Sequence, residues 1–69
     1  MEIKELETRF TYHAPKGNQP TKYVSIRTLG INMAIGINEF CPDCRELSLA
    51  ITKIEEAVFW ANAAIARRE

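Results

Sequence analysis

The chain has 69 residues, 46% of them hydrophobic, with nine basic and nine acidic side chains that cancel. A chain this short makes at most one domain and buries only about 60% of the surface its unfolded form exposes, so a lone monomer is marginally stable. Zero net charge removes the whole-molecule field that draws proteins onto long nucleic acid or anionic membranes. Two cysteines cannot supply the disulfide framework of a small secreted protein, no apolar run approaches the ~20 residues of a membrane span, and no signal peptide is read at the start. The expectation is a reduced, cytosolic protein that gains stability by self-association, because its apolar content exceeds what one hairpin hides. Neutrality still allows a small phosphorylated ligand, since a few arginines converging on one pocket suffice for that.

In chain order, Met1 to Glu7 is mostly charged, with Ile3 and Leu6 as its only large aliphatics, and receives no assignment. Thr8 to His13 carries β-favouring types with Phe10 and Tyr12 on one side, which predicts a short extended segment at about residues 7–13. That segment would pair with its copy in another subunit or lie across the helices with its two aromatics as anchors. Ala14 to Pro20, APKGNQP, reads as a turn. Pro20 suits a first helical position, with Gln19 as a weak N-cap, for a helix over about 20–40. Tyr23, Ile26, Gly30, Met33, Ile37 and Phe40 keep a 3-4-3-4-3 spacing along it. Gly30 and Gly36 each cost roughly 1 kcal/mol against alanine in a helix interior, a loss that close approach of another backbone or of a ligand would explain.

Cys41-Pro42 breaks the helix and turns the chain back, making the flanking helices antiparallel neighbours. A second helix follows at about 43–67. Its residues Leu47, Ile51, Ile54, Val58, Ala61 and Ile65 form an unbroken 4-3-4-3-4 stripe that must be buried. Asp43 and Glu46 resemble a capping box, and Arg67 and Arg68 oppose the negative end of the helix dipole. The expected fold is mainly α: an antiparallel two-helix hairpin with a short extended N-terminal segment, homo-oligomeric, in a single domain over 1–69.

The motif Cys41-Pro42-Asp43-Cys44 lacks the second half-site a zinc ion wants and the βαβ setting of a redox dithiol, so neither metal nor cofactor is expected. One histidine, His13, and the adjacent Glu55 and Glu56 give no acid–base or nucleophile constellation, so no enzyme is expected. A second face of the long helix carries Arg45, Ser48, Thr52, Glu55, Phe59, Asn62 and Ala66. A third carries Leu49, Lys53, Glu56, Trp60, Ala63 and Arg67. Large aromatics beside hydrogen-bonding groups make either an oligomer interface or a ligand wall, and both readings stand.

The segment RELSLAITKIEEAVFWANAAIAR with the preceding CPD, the helix opening YVSIR and the N-terminal FTYHAPKG resemble the small phage helical-hairpin proteins that include the anti-CBASS and Thoeris anti-defence sponges. The resemblance covers about Phe10 to Arg67. It implies a non-enzymatic oligomer in the cytoplasm of an infected host cell that sequesters cyclic oligonucleotides or cyclic ADP-ribose isomers without cleaving them. The residues suit this. Tyr12 can stack on a base, with Phe59 and Trp60 as further aromatic walls; Arg27, Arg45 and Arg67 can pair with phosphates, and Thr52 and Asn62 can read polar edges. The other class of function is a structural or protein-interaction module whose extra faces meet another protein.

Overall fold

The long apolar stripe sets the architecture. In the computed structural model, which describes residues 1–69, it lies on helix α3, Arg45–Arg68. Leu47 is 7% exposed there, and Ile51, Ile54, Val58, Ala61 and Ile65 are half-buried. The stripe packs along helix α2, Gln19–Phe40, and this hairpin is the one extended helix–helix interface of the chain. Gly30 sits at a point of close approach. A Cβ placed on it would sit 2.7 Å from Val58 Cγ2, so a hydrogen is what fits. The α2 stripe is covered only in part: Tyr23, Ile26 and Ile37 are half-buried, whereas Met33 and Phe40 are exposed.

The N-terminal segment corrects the expectation from sequence. Ile3–Phe10 is a helix, α1, and the chain contains three helices and no strand; extended backbone begins only at Thr11 (φ −103°, ψ 142°). Local bonds account for the helix. Glu5 and Arg9 lie one turn apart with 3.8 Å between carboxylate and guanidinium, and Thr8 Oγ1 donates back to the Lys4 carbonyl. The His13 ring, in its Nε2–H tautomer, donates to the Thr8 carbonyl at 2.7 Å and satisfies one of the last-turn acceptors. Phe10 and Tyr12 do not anchor the segment within the chain, since they are 86% and 83% exposed.

Two helix starts also differ from expectation. No capping box forms at Asp43 and Glu46: the N-cap of α3 is Cys44, extended and without a side-chain bond. On α2 the N-cap position falls on Asn18, with Pro20 in the first turn, and Gln19 is already helical. The Gln19 side chain, 3% exposed, has a different task. Its Oε1 accepts from the Lys16 amide at 3.1 Å, while its Nε2 donates to the Ile65 carbonyl at 3.4 Å and to Glu69 Oε1 at 3.2 Å. It thereby ties the start of α2 to the end of α3, supported by the Lys22–Glu69 ion pair. Gly17, at φ +56°, makes the turn that brings Lys16 back to Gln19.

The chain measures 45 × 29 × 12 Å, one helix layer thick. A single layer cannot enclose a core, and only Leu47 and Gln19 are buried. The exposed surface is 5575 Å², against roughly 4,400 Å² for a compact monomer of this mass.

Candidate functional site

Near the C-terminal end of α3, Trp60, Ala63, Ala64 and Arg67 fall on one face by helical spacing. The two alanines leave room where larger residues would fill it, with an aromatic wall at one end and a guanidinium at the other. Helix α1 supplies the opposite side through Arg9 and Phe10, and Arg68 completes a cleft of 520 Å³.

The cleft is cationic although the charges of the whole chain cancel. Arg9, Arg67 and Arg68 line it, and a single carboxylate, Glu5, stands beside them. Glu5 accepts two hydrogen bonds from Arg68, from Nη2 at 2.6 Å and Nη1 at 3.1 Å, a bidentate fork. That hydrogen bonding, reinforced by the charges of Arg68, Arg9 and Arg67, holds the Glu5 carboxyl below its ordinary pKa and raises that of Arg68. Arg67 Nη2 reaches the carbonyl of Arg9 at 3.5 Å, a long contact that leaves most of its donors free. Cations at this density, flanked by Trp60 and Phe10, suit a phosphate with an attached flat ring: guanidinium forks meet the oxygens while an aromatic face meets the ring.

The structure brings two of the sequence-predicted residues, Trp60 and Arg67, into this cleft. Arg27 and Phe59 meet elsewhere, in a smaller groove of 230 Å³ between α2 and α3 that Glu55, Ile31, Ile51 and Ile54 also line. Asn62 places its Oδ1 where water does not reach and no hydrogen-bond partner stands. Tyr12, Arg45 and Thr52 are exposed and line neither cleft. A third, apolar groove of 550 Å³ opens between the same two helices, lined by Leu29, Met33, Ile54 and Ala57 among others, with Lys53 as its one charge.

Sequence reasoning missed Arg9, Phe10, Arg68 and Glu5. The signal for α1 lay in Glu5–Arg9, four residues apart, which reads as helix. The convergence of α1 on Arg68 depends on residues more than 60 positions apart and has no local signature.

The fold is a one-layer helical hairpin with a short N-terminal helix laid beside it. The chain is a member of the Acb2/Tad1 hairpin-domain family, a family of phage anti-CBASS and Thoeris sponges, whose model matches residues 1–66. The match takes in α1, α2 and most of α3, and Arg67 and Arg68 fall just beyond it. No curated protein and no solved structure matches the chain. No helix is long and apolar enough to cross a membrane.

Proposed function

We propose that this protein is a phage anti-defence sponge that binds cyclic nucleotide immune signals, either cyclic oligonucleotides or cyclic ADP-ribose isomers, and holds them intact in the cytoplasm of the infected cell. The observation that carries the reading is the cleft of Arg9, Arg67, Arg68, Phe10 and Trp60 in a member of a sponge family. Its lining is made of cations, rings and alanines, so its chemistry is to bind. Arg27 with Phe59 is a second candidate contact set, the exposed Tyr12, Arg45 and Thr52 are left to meet a ligand held between copies, and Asn62 remains a candidate through its unpaired Oδ1.

The working form is a homo-oligomer. Surface in excess of a compact monomer and a first hairpin helix with Leu29, Ile31 and Met33 exposed support this. The apolar 550 Å³ groove favours a second reading, a protein-interaction module with no nucleotide, should binding fail.

The test incubates purified protein with cyclic di- and trinucleotides and cyclic ADP-ribose isomers, then measures ligand left free and ligand recovered after heat release. The expected outcome is depletion of at least one ligand and its recovery unaltered. Arg67→Ala should weaken binding by about tenfold to a hundredfold with the assembly unchanged, the effect of losing charged hydrogen bonds in a partly dry site. Absence of binding by the unmutated protein, or unchanged affinity in Arg27→Ala, Arg45→Ala and Arg67→Ala alike, would leave the interaction-module reading in its place. A cleaved product would make the protein an enzyme.

A further inference from the structure

Helix α1 is held to the hairpin in an unusual way. It has eight residues and buries none of them, and an isolated helix of that length is unstable in water. Its side-chain ties to α3 are made by two adjacent arginines: Arg68 grips Glu5 with both terminal nitrogens, and Arg67 reaches the carbonyl of Arg9 in the last turn of α1. These guanidiniums also line the cleft that α1 helps to form. The groups that dock α1 are therefore the groups a phosphate would engage.

We infer that Glu5 is an internal anion occupying the ligand's place on Arg68, so that α1 acts as a strap which a phosphorylated ligand displaces. This rests on the assignment of the cleft as the anion site in the proposed function. A phosphate oxygen pair offers Arg68 the same planar, bidentate geometry as the Glu5 carboxylate and carries comparable or greater charge. An incoming anion also meets Glu5 as a like charge beside Arg9 and Arg68. Both effects favour exchange of one anion for the other over simultaneous binding. Since α1 has no buried side chain to hold it, losing the fork leaves only the long Arg67 contact to the Arg9 carbonyl, which the same ligand would compete for, and α1 docking and ligand binding oppose each other through shared donors. The strap lets the empty protein keep the Arg68 guanidinium paired without closing the cleft to its ligand.

The experiment uses the full chain with inorganic pyrophosphate as the probe, so that it does not depend on which cyclic nucleotide binds. Backbone hydrogen exchange is followed over residues 3–10 with and without pyrophosphate, and affinity is measured by calorimetry for the unmutated protein, Glu5→Gln and Glu7→Gln. Glu7 is an exposed acid on the same helix with no ion-pair partner, and it controls for overall charge. Pyrophosphate should accelerate exchange in α1 while leaving α2 and α3 unchanged. Glu5→Gln should raise affinity by roughly twofold to fivefold, the scale of one exposed ion pair, and should speed α1 exchange before any probe is added. Glu7→Gln should do neither.

Weaker pyrophosphate binding in Glu5→Gln would make Glu5 a positioning residue and overturn the strap. Equal affinity in all three proteins, an equal rise in Glu7→Gln, no binding in any of them, or binding with unchanged α1 exchange would overturn it as well. If pyrophosphate releases α1 as expected but no cyclic nucleotide binds, the strap stands and the sponge reading falls.

Discussion

Helices α2 and α3 are nearly equal in length and pack along each other, yet they distribute their apolar residues differently. Helix α3 gathers Leu47, Ile51, Ile54, Val58, Ala61 and Ile65 into one stripe that faces α2. Helix α2 places Val24, Leu29, Ile31, Met33, Ile35 and Phe40 in the open, on more than one side. A helix with a single stripe is satisfied by a single neighbour, whereas one that is apolar around most of its circumference asks for several. Within one chain, the α3 stripe finds its partner while Leu49, Phe59 and Trp60 on its other faces stay exposed, and α2 finds only part of what it needs. The division of labour is that α3 carries the stripe that makes the hairpin and α2 leaves much of its apolar surface uncovered.

The largest effect that could break this comparison comes from pairing a core truncation with an outer-face substitution. Leu47→Ala should destabilise the fold by about 2–4 kcal/mol in chemical denaturation, the range for emptying a buried leucine site. Ile35→Ser on the side of α2 away from α3 should change denaturation of the single chain by no more than about 0.5 kcal/mol. It should also shift light scattering toward a species near 7.9 kDa. Similar losses in both variants would show that the two helices are equally committed to the core.

The glycines of α2 sharpen the contrast with a smaller effect. At Gly30 an added methyl meets Val58, a stiff β-branched side chain, so overpacking of about 1–3 kcal/mol outweighs the helix gain of about 1 kcal/mol. A net loss of about 1 kcal/mol is expected for Gly30→Ala. At Gly36 nothing lies within 4 Å of an added Cβ, and Gly36→Ala should stabilise by up to about 1 kcal/mol. Thermal melting of the two variants should move in opposite directions.

The smallest effect belongs to the polar ties at the open end. Glu5 and Glu69 both have carboxyl pKa values below the ordinary 4.5, Glu5 chiefly through the hydrogen bond from Arg68 and Glu69 through those from Lys22 and then Gln19. A depressed folded-state pKa gives stability that is complete above the unfolded value and is lost as pH falls through the folded one. Stability should therefore hold from neutral pH down to about 5 and decline below it, and Glu5→Gln with Glu69→Gln should flatten that decline. The slope should be shallow, because exposed ion pairs contribute little.

The long stripe of α3 was legible because six apolar residues at helical spacing outweigh any local ambiguity, and the Cys41-Pro42 break was legible because proline leaves the backbone few options. The first helix was misread for a physical reason. Thr8 and Phe10 prefer strands by residue type, but the Glu5–Arg9 pair within α1 and the grip of Arg67 and Arg68 override that preference, and only from Thr11 on is the backbone extended as predicted. Trp60 and Arg67 were legible as cleft residues because they share a helix face. Arg9, Phe10 and Arg68 were not, because their meeting is a tertiary event. Gln19 is the sharpest case: a residue read as a weak cap proves to be the buried polar link between both ends of the hairpin, through partners about fifty positions away.

That link has a kinetic consequence. Every side-chain bond joining residues far apart in sequence, from Gln19, Arg67 and Arg68, and the Lys22–Glu69 pair, sits opposite the tight turn at Cys41–Cys44. Contacts near the turn close short loops and form early, while the distant bonds wait for the helices to come alongside each other. The hairpin should zip from its turn toward Gln19, and it should fray in the reverse order. On this account the end that carries the arginines acquires structure last and gives it up first, which would place the arginine-lined cleft in the region of shortest residence in the ordered state.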